Sequence, residues 1–115
     1  MNIGLLYHWS PSVRREAILR AGLKVYSEPV THSGDERYPY LCFGPTPSAA
    51  WGLSGDMEWT SEHEQWDLWQ VRLVDGDEVH VRAGFGPTIY EVRVRNSIPA
   101  DRVWYVGTRE PAFAK

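Results

Sequence analysis

The sequence predicts an α+β domain, on three observations. Two early segments each run from an apolar stretch into a hydroxyl residue followed by proline, at Ser10-Pro11 and at Thr46-Pro47. The second half alternates polar and apolar residues with period two over Trp66–Val74 and Thr88–Arg95. Asp75-Gly76-Asp77 supplies a turn signal between strand-like stretches. Two short N-terminal helices packed on a strongly twisted mixed or antiparallel sheet satisfy this order. At 115 residues the chain is expected to form one domain, residues 1–115.

Leu5-Leu6-Tyr7-His8-Trp9 reads as the first strand. Ser10 is suited to cap a helix and Pro11 to open one, because proline lacks the amide that would be orphaned there. Val13, Ala17, Ile18 and Ala21 share a helical face, and Gly22 is a natural stop. Residues 23–39 are irregular and polar. Tyr40-Leu41-Cys42-Phe43 reads as a buried strand, which makes the single cysteine, Cys42, an inert core thiol. Thr46-Pro47 then repeats the helix start. In the Trp66–Val74 strand, Asp67, Trp69, Val71 and Leu73 form the more apolar face, expected to be the buried one. Asp75-Gly76-Asp77 is expected to close a hairpin onto a strand carrying Val79 and Val81. In Thr88–Arg95, Tyr90, Val92 and Val94 take one face and Ile89, Glu91, Arg93 and Arg95 the other. A last strand spans Val103–Val106, and the tail after Gly107 is expected to fray.

Composition removes several function classes. The net charge is −3, so there is no basic footprint for duplex nucleic acid. No apolar stretch approaches a membrane span, and no secretory leader is visible, so a soluble cytoplasmic protein is expected. His8, His32, His63 and His80 lack zinc-site spacing, and one cysteine cannot complete a ligand set. Glu62-His63-Glu64 reads as a solvated cluster, and Gly84-Phe85-Gly86-Pro87 lacks the lysine and helix of a phosphate loop. What remains is His8 and Ser10 at one strand end, Tyr40 to Thr46 in the second unit, and Glu91 beside Arg93 and Arg95. Glu91 reads first as part of a solvent face with cross-strand ion pairs, and alternatively as a carboxylate placed in a cleft, its charged form favoured by guanidinium groups.

These residues resemble a known family. Tyr7-His8-Trp9-Ser10, followed by Ile18-Leu19-Arg20-Ala21-Gly22-Leu23, is similar to the opening of the ADP-ribosyltransferase superfamily. Its members often begin with a strand reading Tyr-His-Gly-Thr or similar, then a helix ending in Gly-Leu; Trp9 stands where many carry glycine. Leu41-Cys42-Phe43-Gly44 with Pro47, Ala49 and Ala50 resembles the next strand and helix. Tyr90-Glu91-Val92-Arg93-Val94, ahead of Ile98-Pro99, resembles the late strand that bears the catalytic glutamate.

The resemblance implies a split sheet with NAD lying across the split. His8 would hydrogen-bond a ribose hydroxyl with help from Ser10, and Tyr40 or Phe43 would cover the nicotinamide. Glu91 would hold the ribose 2′-hydroxyl, support the oxocarbenium-like transition state as the nicotinamide bond breaks, and orient the nucleophile. Glu78 is the next carboxylate to consider. The acceptor of ADP-ribose is left open. A non-catalytic interaction or inhibitor domain is the competing class, with Trp51, Trp59, Trp66 and Trp69 as exposed anchors near an acidic loop.

Overall fold

The computed structural model describes residues 4–25, 40–53, 65–82 and 91–109. In chain order these form β1 (Leu5–Pro11), α1 (Arg15–Ala21), β2 (Leu41–Phe43), α2 (Pro47–Leu53), β3 (Trp66–Arg72), β4 (Val79–Arg82), β5 (Glu91–Val94) and β6 (Val103–Arg109). Single 3-10 turns, Ser12–Arg14 and Ala100–Arg102, precede α1 and β6. The fold is α+β with two antiparallel three-stranded sheets, in the orders β1-β3-β6 and β2-β5-β4.

The sheets meet where β1 passes the end of β2. Tyr7 and Gly44 exchange both backbone hydrogen bonds there, each at 2.9 Å. Gly44 is required by close approach: a Cβ there would lie 2.5 Å from the Ala50 amide nitrogen, so a larger residue would push α2 off the junction. Thr46 Oγ1 accepts the Ala49 amide at 3.1 Å and Pro47 opens the helix, so α2 starts against this point. Gly22 ends α1 with φ +79°, and a Cβ on it would strike the Ile98 carbonyl. That freedom lets Leu23 and Ile98 pair reciprocally at 2.9 and 2.8 Å.

Two apolar clusters hold the sheets. Leu6, Trp69 and Val71 of the first sheet pack with Leu41, Phe43, Val92 and Val94 of the second, closed by Ile18, Leu23, Ile98 and Val103. On the other side of the first sheet, Trp9, Trp66 and Leu68 pack under Ala50 of α2, and Trp9 Nε1 donates to the Pro47 carbonyl at 3.0 Å.

Several expectations need correction. Ser10 and Pro11 end β1 rather than start a helix, because the ladder with β3 continues through Ser10–Asp67 and Pro11–Trp66. Ser10 caps nothing: the turn that follows begins without a side-chain cap, and α1 starts only at Arg15. Of the predicted helical face, Ile18 is buried, whereas Val13 is 75% exposed and Ala17 and Ala21 face solvent. Ile18 alone of that face reaches the core, and Val13 lies in the turn ahead of α1. Cys42 is not a core thiol, since alternation buries Leu41 and Phe43 and leaves Cys42 half-buried on the opposite face. β3 is buried on both faces from Trp66 to Trp69, because α2 covers the side expected to be open. Residues 75–77 do turn the chain, with the Asp77 amide bonded to the Val74 carbonyl at 3.1 Å, but they close no hairpin. β4 leaves the first sheet and pairs with β5. β6 runs past Gly107 to Arg109, held by Thr108 against Asp67 and Arg109 against Trp66. The predicted segments at 32–37, 62–64 and 84–87, and Thr88 to Tyr90, lie outside the described residues.

Candidate functional site

The junction of the sheets gathers the predicted residues around Cys42. His8 points from β1 toward β2, with its ring centroid 5.5 Å from that of Phe43. Its Nδ1 lies 2.8 Å from the Cys42 carbonyl oxygen. A carbonyl only accepts, so Nδ1 carries the proton and Nε2 of the neutral ring keeps a lone pair. Burial pulls the imidazole pKa below its ordinary 6.5; the Cys42 hydrogen bond opposes that in part, and the nearby charge of Arg14 adds to it. The ring is therefore a neutral acceptor near pH 7.

Glu91 opens β5 on the face opposite Val92 and Val94, which are fully buried, as the alternation predicted. Its side chain is 13% exposed. Arg93 Nε donates to Oε1 at 2.7 Å, and Arg82 Nη1 approaches the same oxygen at 3.5 Å. Arg93 also stacks on Tyr40, 4.2 Å from its centroid. Cys42 pairs with Arg93 across β2 and β5, so its side chain shares the face of Glu91 and Arg93. Burial first and the charge of Glu91 second push the Cys42 thiol up to about 12, so it is protonated near pH 7. Cys42 thus meets His8 through its carbonyl and lies across the strand pair from Arg93, which holds Glu91.

The other predicted residues are placed differently. Phe43 is buried in the core and has no free face for a ligand. Tyr40 is half-buried with Arg93 over its ring. Ser10 is buried on the His8 side of β1. His80 is exposed on β4, opposite Arg93. Glu78 precedes β4, exposed, its amide donating to Asn96 Oδ1 at 2.7 Å. Among the described residues no three metal-ligating side chains cluster. A surface depression of about 440 Å³ lies elsewhere, lined by Arg72, Leu73, Val74, Asp75, Asp101, Arg102 and Trp104.

Sequence reasoning missed Cys42. The signal was present in parity: if Leu41 and Phe43 enter the core, Cys42 cannot, and an antiparallel partner strand with Val92 and Val94 inward puts it among Glu91 and Arg93.

Two other carboxylates are fully used by the fold. Asp67, 0% exposed, takes Arg15 through both oxygens at 2.8 Å and the hydroxyls of Ser12 and Thr108 at 2.7 Å. Burial alone would raise its pKa, but those donors win and hold it below 3.8. Asp77 takes Arg102 at 2.7 and 3.1 Å, Asn96 at 2.9 Å and the Val74 amide at 2.9 Å. Arg102 chiefly drives its pKa down to about 2, against some burial.

The tryptophan anchors of the competing class do not hold. Trp66 and Trp69 are core residues, and Trp51 is half-buried with Arg109 4.1 Å from its ring centroid. Trp59 lies outside the described residues. Among the described residues the exposed aromatics are instead Trp104 and Tyr105, consecutive on β6, followed by exposed Val106 at a register shift. Among the described residues no helix is long and apolar enough to cross a membrane. No protein-family model matches the sequence, and no curated protein matches it.

Proposed function

We propose that the chain is an ADP-ribosyltransferase-like protein that binds NAD where the two sheets part and transfers ADP-ribose to an acceptor. The carrying observation is that His8 bonds the Cys42 carbonyl while the strand partner of Cys42, Arg93, holds Glu91, which brings strands of both sheets to one junction. The two sheets, joined through Tyr7 and Gly44, support the expectation of a split sheet.

His8 Nε2 suits a donor hydroxyl such as that of a ribose. Glu91 suits the ribose 2′-hydroxyl and a developing positive charge at the anomeric carbon. Arg93 and Arg82 fix the carboxylate from one side, so its direction is set before substrate arrives. Tyr40 is the aromatic left to cover a planar ring, in company with Arg93, because Phe43 is committed to the core. Ser10, buried beside His8, supports the strand end more than it offers a ligand contact.

Thermal melts with NAD, ADP-ribose and nicotinamide test this reading. A ligand present at 100 times its dissociation constant stabilises the fold by about 2.7 kcal/mol. For a domain of this size that is a rise in Tm of roughly 10 °C or more. No shift with any of the three removes the proposal.

One observation favours a second reading, in which the protein acts by binding another. β6 is the outer strand of its sheet, with Trp104 44% and Tyr105 42% exposed. Aromatics on an edge strand are suited to partner contact. Loss of partner binding on Trp104→Ser, with no response to NAD, supports it over the first.

A further inference from the structure

We infer that β4 is a self-association edge: it pairs antiparallel with β4 of a second copy of this chain, joining the β2-β5-β4 sheet of each copy into one continuous sheet. This association is independent of NAD binding.

β4 is the outer strand of its sheet, and all four of its residues are exposed. Glu78, just ahead of it, turns its main chain inward. The Arg95 amide donates to the Glu78 carbonyl at 3.0 Å, and the Glu78 amide donates to Asn96 Oδ1 at 2.7 Å. Alternation along an antiparallel pair then gives the main chain of His80 and Arg82 to β5 and aims the amides and carbonyls of Val79 and Val81 outward. Among the described residues no strand takes that edge. The side chains follow the same parity. Val79 and Val81 lie opposite Val94 and Val92, which are fully buried, yet they are 37% and 38% exposed. The apolar face of the sheet therefore runs out to its edge.

The residues of this edge fit a copy of themselves. A two-fold axis through His80 sets Glu78 opposite Arg82 of the second copy, and Arg82 opposite Glu78 of the second copy. Val79 then meets Val81 of the second copy, and these are the residues whose amides and carbonyls point outward. Each such pair forms ladder hydrogen bonds and an apolar contact together. Glu78 is exposed, and the Arg82 side chain is 48% exposed with Nη1 3.5 Å from Glu91. A guanidinium carries five donors, so Arg82 can keep Glu91 and take a second carboxylate. A register moved by two residues would set Arg82 opposite Gly76 or His80 and lose both charge pairs, so the charges select one alignment.

Sedimentation equilibrium of the full chain, run up to millimolar protein, reads this association. The expected result is a reversible monomer–dimer equilibrium. Glu78→Arg and Arg82→Glu each set like charges opposite one another at both symmetric points, and each should weaken the dimer by about tenfold or more. Mixing the two variants restores opposite charges at both points, so the mixture should dimerise as the wild type does. Val81→Pro removes an outward amide and leaves the hydrogen bonds to β5 in place, so it should abolish the dimer with the fold retained. Melting curves check that each variant is folded. A monomer at every concentration overturns the inference. So does a dimer that both charge variants leave unchanged, a mixture that does not recover, or a dimer lost in Trp104→Ser, which would place the contact on β6.

Discussion

Asp67 and Glu91 are both carboxylates held by arginine, and they are held in different ways. Asp67 sits on the central strand of its sheet with every oxygen engaged by Arg15, Ser12 and Thr108. It ties the turn before α1 to β3 and to the end of β6. Glu91 begins a strand, keeps part of its surface open, and is held from one side by Arg93 and Arg82. A saturated, buried carboxylate has no capacity left for a ligand, whereas a directed and incompletely covered one does. On the reading proposed above, that difference assigns Asp67 to support of the fold and Glu91 to the site.

The largest expected effect falls on the saturated member. Asp67→Ala strands a partly covered guanidinium and two hydroxyls, and should cost about 3 kcal/mol in urea unfolding. A loss below about 0.5 kcal/mol would place Asp67 with surface pairs instead.

Asp77 extends the comparison to pH. Its pKa is about 2 in the fold against an ordinary 3.8. A lowered acid pKa contributes stability in full above the ordinary value, and that stability is lost as pH falls through the folded one. Asp77 therefore contributes about 2 kcal/mol above pH 4, which disappears between about pH 4 and pH 2. Asp77→Asn should flatten that part of the acid unfolding curve. His8 acts in the same direction at higher pH. Its pKa is lowered, so below 6.5 the unfolded chain binds a proton that the folded chain does not, and stability declines as pH falls. Protonation of Nε2 would also abolish its acceptor role, so NAD affinity should fall toward acid pH, and fall less in His8→Gln.

Glu91→Gln gives the smallest change in stability and the cleanest contrast. The fold should lose no more than about 1 kcal/mol, because the pair is partly solvated. NAD consumption should drop about 10²- to 10³-fold. A large loss of stability with turnover intact would exchange the roles assigned to Glu91 and Asp67.

Period-two alternation made parts of this legible. It placed Val92 and Val94 inward and Glu91 outward, and it marked β3 from Trp66 onward. Tyr40 to Phe43 is apolar throughout, which hides the alternation that buries Leu41 and Phe43 and leaves Cys42 on the opposite face. Pairing is not encoded locally, which is why Asp75-Gly76-Asp77 looked like a hairpin while β4 joins the other sheet. Ser10-Pro11 carries strong helix-start chemistry, but the continuing ladder with β3 overrides it. The burial of Trp66 depends on α2 folding over it, a contact across residues distant in sequence. Phe43 could not be separated from Tyr40 as a ligand-facing ring until its face was known.

NAD titration followed by backbone amide shifts tests the site most directly. Binding at the junction predicts saturable shifts at His8, Cys42, Glu91 and Arg93, with Asp77 and Trp104 unchanged. Absence of shifts at millimolar NAD, or shifts confined to β6, would contradict it.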